Sequence, residues 1–149
     1  MRTILKWSLV VCLTLSGAFT CAADSEQELV IDDVWVRGLL PGRNMTAGFL
    51  SLKNQSNQDE TLVGVEAEGV DSIEIHGHFH EGGLMKMRQV DSLLVKAGST
   101  QVLAPGSYHL MMFGVKAGLK LGSFLPLTLS FESGLQVQVD AKVISVLQE

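Results

Sequence analysis

Two adjacent runs near the C-terminal end, LPLTLSF and LQVQVDA, constrain the fold more than any other stretch of this chain. Leu127, Leu129 and Phe131 project to one face of an extended strand, and Val137, Val139 and Ala141 to one face of the next. Ser133-Gly134 between them reads as a tight hairpin. An apolar period of two over successive segments commits the chain to half-buried strands, and each strand needs a second layer to cover its apolar face. Upstream, short β-runs separated by turn residues occupy residues 29–37, 47–54, 61–68, 72–79, 84–90, 100–103, 108–115, 126–132 and 135–146. No sustained 3.6-residue period interrupts them. Residues 54–60 form a polar loop, and Ala104-Pro105-Gly106-Ser107 is a turn that launches the strand after it. Pro126 suits an edge or the first residue of a strand rather than a central position. Many short strands at this spacing predict an all-β fold, a two-sheet sandwich, with no internal repeat and no second domain.

The chain of 149 residues opens like an export signal. Arg2 and Lys6 give a positive flank, residues 7–19 an uncharged and mostly apolar core, and Cys21-Ala22-Ala23 small residues for cleavage before Asp24. The apolar run is too short for a membrane span. We therefore expect residues 1–23 to be removed, leaving 24–149 as one domain in the periplasm without stable membrane insertion. Lipid attachment at Cys21 competes with this reading, but Ala18-Phe19-Thr20 lack the leucine and the small residue of a lipobox.

The mature chain keeps nine basic residues against sixteen acidic, a net charge of −7, which argues against nucleic acid or anionic lipid as a partner. Both cysteines, Cys12 and Cys21, lie in the expected signal, so the mature chain has no disulfide and no thiolate to offer a metal. In an oxidising compartment an exposed thiol is readily lost, and histidine and methionine are the ligands less open to that loss.

The four histidines and four of the six methionines fall between His76 and Met112, in IHGHFHEGGLMKMRQV and PGSYHLMMF. Ten residues separate His76 from Met87, twenty-one separate Met87 from His109, and one separates His109 from Met111. At i and i+2 on a strand, His109 and Met111 share a face. Upstream, the chain reverses around Glu81, Gly82 and Gly83. A Glu81-Gly82 loop sets His76 opposite Met87, whereas a Gly82-Gly83 loop, suited to a primed turn, sets His78 opposite Met87 and His80 opposite Met85. Both registers keep His76, His78, His80, Met85 and Met87 on one face, because a shift by a whole pair preserves parity.

Taken singly, methionines on β-runs fill cores, and Met45 and Met112 are read that way. The paired arrangement of His109 with Met111, beside a second cluster, reads instead as a metal site. Thioethers are neutral and soft; they add little for Zn²⁺, Mg²⁺ or Ca²⁺ and suit Cu(I). Zinc through His76, His78 and His80, completed by Glu74 or Glu81, is the competing assignment. Without a cysteine the set cannot form a blue-copper electron-transfer site, and soft neutral ligands near a surface suit surrender of copper to stronger thiolates. No nucleophile, base and oxyanion donor come together as in a hydrolase, and Ser107 near His109 belongs to turn chemistry, so an enzyme is not expected.

The spacing His-x10-Met-x21-His-x-Met, here His76, Met87, His109 and Met111, resembles the signature of the periplasmic copper A chaperone (PCuAC) family. GLMKMRQV and PGSYHLMMFGV are similar to that family's ligand-bearing segments, and VWVRGLLPGRNMTAGFLSLKN to its N-terminal strand pair. The resemblance implies a cupredoxin-like β-sandwich that binds Cu(I) near one end through these four residues. It also implies a metallochaperone that delivers copper to an acceptor, either the cytochrome oxidase subunit carrying the copper A centre or a Sco-type assembly protein. Two departures stand out: His78 where family members carry methionine, and no His/Met-rich tail, so no separate Cu(II) site is expected there. A copper-sequestering protein and a metal-free β-sandwich interaction module are the alternatives.

Overall fold

The computed structural model describes residues 28–116 and 119–145; the expected signal at 1–23 and its Cys21 lie outside the described residues. Ten strands follow one another: β1 (Leu29–Arg37), β2 (Thr46–Asn54), β3 (Glu60–Ala67), β4 (Ser72–Glu81), β5 (Leu84–Val90), β6 (Leu93–Val95), β7 (Thr100–Leu103), β8 (His109–Phe113), β9 (Phe124–Phe131) and β10 (Gln136–Ile144). Nine of them pair in the order β5-β4-β8-β2-β1-β10-β9-β3-β6, and β7 adds to β2. The pairing is antiparallel except between β1 and β10, which run parallel. No helix among the described residues is long and apolar enough to cross a membrane.

The sheet folds back on itself around one core. Leu50 and Leu52 of β2 and Leu110 and Met112 of β8 belong to the same buried cluster as Leu62 and Val65 of β3 and Leu127 and Leu129 of β9. Strands far apart in the pairing order thus face each other, and the all-β sandwich expected from the alternation is present as two walls of one continuous sheet. The C-terminal hairpin has the expected phase: Val137, Val139 and Ala141 stand opposite Leu129, Leu127 and Leu125. Buried Asn54 shapes the polar loop that follows it. Its Nδ2 donates to the carbonyls of Gln58 and Val95, and its Oδ1 accepts from the Ser56 amide and hydroxyl.

Two details depart from a regular reading. Pro126 lies inside β9, a strand flanked by β10 and β3, so its strand is central rather than an edge. Pairing to β3 begins only at Leu127, opposite Ala67, so at Pro126 that side of the strand is free and the missing N–H breaks no ladder there. In β1 a bulge intervenes between Asp32, opposite Ser51, and Trp35, opposite Phe49, and Asp33 within it takes a positive φ of 51°. The extra residue reverses the side-chain parity. Trp35 rather than Val34 therefore stacks on Phe49, with ring centroids 4.2 Å apart.

Candidate metal centre

The clustered histidines and methionines occupy the outward face of the wall formed by β5, β4, β8 and β2. Gly82 and Gly83 both have positive φ, 59° and 79°, the backbone of a type I′ hairpin turn. That turn fixes the Gly82-Gly83 register: His78 stands opposite Met87, His80 opposite Met85, and His76 opposite Gln89. On the other side of β4, His76 stands opposite His109 and Glu74 opposite Met111. Met112 points the other way and is fully buried in the core, as expected.

Gly77 sits between His76 and His78 on the inward face. A Cβ there would lie 2.9 Å from the Tyr108 ring and 3.0 Å from the Phe79 ring. Its absence lets those two rings pack edge to face beneath the histidines, with centroids 6.4 Å apart.

His109 and Met87 come from strands on either side of β4, nominally about 10 Å apart. Their side chains nevertheless lean over β4 until His109 Nε2 and Met87 Sδ are 3.2 Å apart. The chemistry of that contact follows from the other ring nitrogen. His109 Nδ1 lies 3.1 Å from the Ser107 carbonyl, which can only accept, so Nδ1 carries the hydrogen. Burial is the main influence on this ring and lowers its pKa from the ordinary value near 6.5; nearby His78, His76 and Arg37 push the same way, against the Ser107 hydrogen bond. The ring is neutral, Nε2 bears a lone pair, and that lone pair faces a thioether sulfur with no proton to share.

His78 holds the same Ser107 carbonyl through its Nδ1 at 3.0 Å and stacks on His109 with ring centroids 5.2 Å apart. The His76 and His109 rings are 6.0 Å apart. His76 Nε2 lies 2.8 Å from a Glu74 carboxylate oxygen, while its Nδ1 is buried without a hydrogen-bond partner. Phe49, covered by Trp35 and by the Arg37 guanidinium 5.2 Å from its ring centroid, backs His109 from the β2 side.

The structure therefore brings His76, His78, Met87 and His109 together. Met111 takes the next outward position on β8. It is half-buried and lines an open depression of about 210 Å³ with Arg37, Leu40, Met45 and Ala47. Met45 is a correction to the sequence reading: it is 46% exposed at the rim of this depression instead of filling the core. His80 is exposed at the far end of the hairpin, and Glu81 pairs with Lys86 and Arg88. Among the described residues no three His, Cys, Asp or Glu side chains are grouped to hold an ion. Sequence reasoning considered Glu74 only as a zinc ligand and Ser107 only as a turn residue; their contacts with the rings are set by cross-strand placement.

The fold and this outward cluster define the class. The chain is similar to the solution structure of CuI-DR1885 from Deinococcus radiodurans, at 28% identity over 87% of each chain with a TM-score of 0.68. It is similar as well to the apo PCuAC domain from PmoF1, at 25% identity over 79% of this chain and 94% of that one, also with a TM-score of 0.68. The copper-bound PCuAC domain from PmoF2 shares the fold at 22% identity over 79% of this chain and 93% of that one, with a TM-score of 0.67. The architecture is thus the cupredoxin-like one of PCuAC domains. Residues 29–143 match the family described as "Putative lipoprotein LpqE-like", and the chain belongs to that family. Among its relatives are "Putative lipoprotein Lxx21020" of Leifsonia xyli subsp. xyli, 33% identical over 70% of this chain, and the uncharacterized protein RP573 of Rickettsia prowazekii, 31% identical over 66%. The chain spans 62% and 55% of the lengths of these two relatives.

Proposed function

We propose that this protein is an exported Cu(I) metallochaperone that holds one copper ion through His76, Met87, His109 and Met111 and releases it to an acceptor protein. The observation that carries the proposal is the His109 Nε2 and Met87 Sδ contact: two lone-pair donors aimed at each other at 3.2 Å, in a ring kept neutral by burial, are stabilised by a cation between or beside them. The orphaned Nδ1 of His76 and the shared outward face of Met111 support the rest of the set. Two neutral imidazoles and two thioethers around Cu(I) make a site of net charge +1 whose softness selects copper over divalent zinc. CuI-DR1885, to which this chain is similar, carries copper in its name, which supports the same cargo here.

The lipoprotein names of the family and of one relative support export. We read residues 1–23 as a cleaved signal and the mature domain as periplasmic. The acceptor we propose is the copper A subunit of cytochrome oxidase or a Sco-type assembly protein, whose thiolates outcompete neutral ligands for Cu(I). Copper is the cargo and the protein catalyses no covalent step.

The test is an anaerobic competition for Cu(I) against a chelator of known affinity, using Met87→Leu and Met111→Leu. Each change conserves volume and deletes the sulfur, so each variant should keep its fold and lose about tenfold or more in affinity, the order of 1.4 kcal/mol. Unchanged affinity in both variants contradicts the ligand set. Loaded wild type mixed with an apo-acceptor should lose its copper to it; retention of the ion would favour sequestration instead.

A further inference from the structure

We infer that Glu74 is a positioning residue that commits His76 to bind copper through Nδ1, whereas His109 binds through Nε2; the inference rests on the ligand set proposed above. A carboxylate oxygen only accepts, so the 2.8 Å contact requires the hydrogen of His76 to sit on Nε2. In the neutral ring the lone pair then belongs to Nδ1, which is the nitrogen left buried and without a partner. On the facing strand the arrangement is reversed, because the Ser107 carbonyl takes the hydrogen of His109 at Nδ1 and leaves Nε2 beside Met87. Two rings directly opposite each other on β4 and β8 are thus held in opposite tautomers by two different acceptors.

Glu74 does this from within the same face. It lies two residues before His76, so both side chains project outward from β4, and it stands opposite Met111. A carboxylate on the far nitrogen of a metal-binding imidazole fixes the ring's orientation and raises its basicity. It also sets a negative charge beside a donor set that is otherwise neutral, which offsets the +1 of the loaded site.

Long-range proton–nitrogen correlation spectra of the uniformly ¹⁵N-labelled protein, apo and loaded with diamagnetic Cu(I), test the assignment. In the apo wild type His76 should show the Nε2–H tautomer, and Cu(I) should shift its Nδ1 while shifting Nε2 of His109. Glu74→Ala should move His76 towards the Nδ1–H tautomer and lower Cu(I) affinity about tenfold to a hundredfold. Glu74→Gln keeps an acceptor oxygen without the charge, so it should retain the tautomer and lose less affinity than Glu74→Ala. An Nδ1–H tautomer in the apo wild type, or an unchanged His76 tautomer in Glu74→Ala, would overturn the inference. If Cu(I) shifts Nε2 of His76 instead, the metal site stands and the role given to Glu74 falls. If Cu(I) shifts neither nitrogen of His76, the proposed ligand set falls and the inference with it.

Discussion

A single ring, His109, shows how this chain separates donors from protons. Its burial lowers the pKa, so the folded ring stays neutral at a pH where an unfolded histidine, titrating near 6.5, has begun to take a proton. Between those two values the unfolded chain binds more protons than the folded one, and stability therefore rises with pH. The contribution is fully present above about 6.5 and is lost as pH falls from there towards the lower folded value. The thermal midpoint of the apo protein should accordingly drop between about pH 7.5 and about pH 5.5, and His109→Asn should flatten part of that slope. A variant with the wild-type slope would mean that His109 is not the group responsible. That His109 and Met111 share a face was legible from their i and i+2 spacing alone, whereas the acceptors on the far nitrogens were not. Ser107 reaches the rings by its backbone carbonyl, which no side-chain pattern records. Glu74 gains its meaning only once β4 is seen to lie directly against β8.

At the level of elements, the hairpin between β4 and β5 does the positioning. Sequence left two registers open, and the positive φ at both Gly82 and Gly83 selects the one that sets Met87 opposite His78, diagonal to His76. An L residue at the second turn position costs about 1–2 kcal/mol in this left-handed region. Gly83→Ala should therefore lower the thermal midpoint and weaken Cu(I) binding by loosening Met87, whereas Gly82→Asn, favoured at the first position of a type I′ turn, should leave both close to wild type. Chelator competition and thermal unfolding on the two variants check this, and equal behaviour of the pair would contradict control of the site by the turn. Other elements were less legible. β6 has three residues, with Leu93 and Val95 buried and Leu94 exposed, too few for alternation to declare a strand. The bulge in β1 interrupts an otherwise strand-like run and re-aims Trp35 onto Phe49 through one extra residue.

For the whole molecule, the all-β sandwich follows from period-two patterning, but its closure does not. The parallel pairing of β1 with β10 joins the two walls into one sheet, and contacts between the first and last strands leave no local mark in a sequence. The resulting frame keeps one face of β5, β4 and β8 turned away from the apolar core, so residues from positions 76, 87 and 109 meet on one side of that wall. Met87, 49% exposed, is the most open of the three, whereas His109 is buried. The most direct measurement is X-ray absorption at the copper edge of the anaerobically loaded protein. One equivalent of Cu(I) should show two nitrogen and two sulfur scatterers from His76, His109, Met87 and Met111, with one sulfur lost in Met87→Leu. A shell of nitrogen and oxygen alone, or a sulfur count unchanged by that substitution, would contradict a mixed imidazole and thioether site.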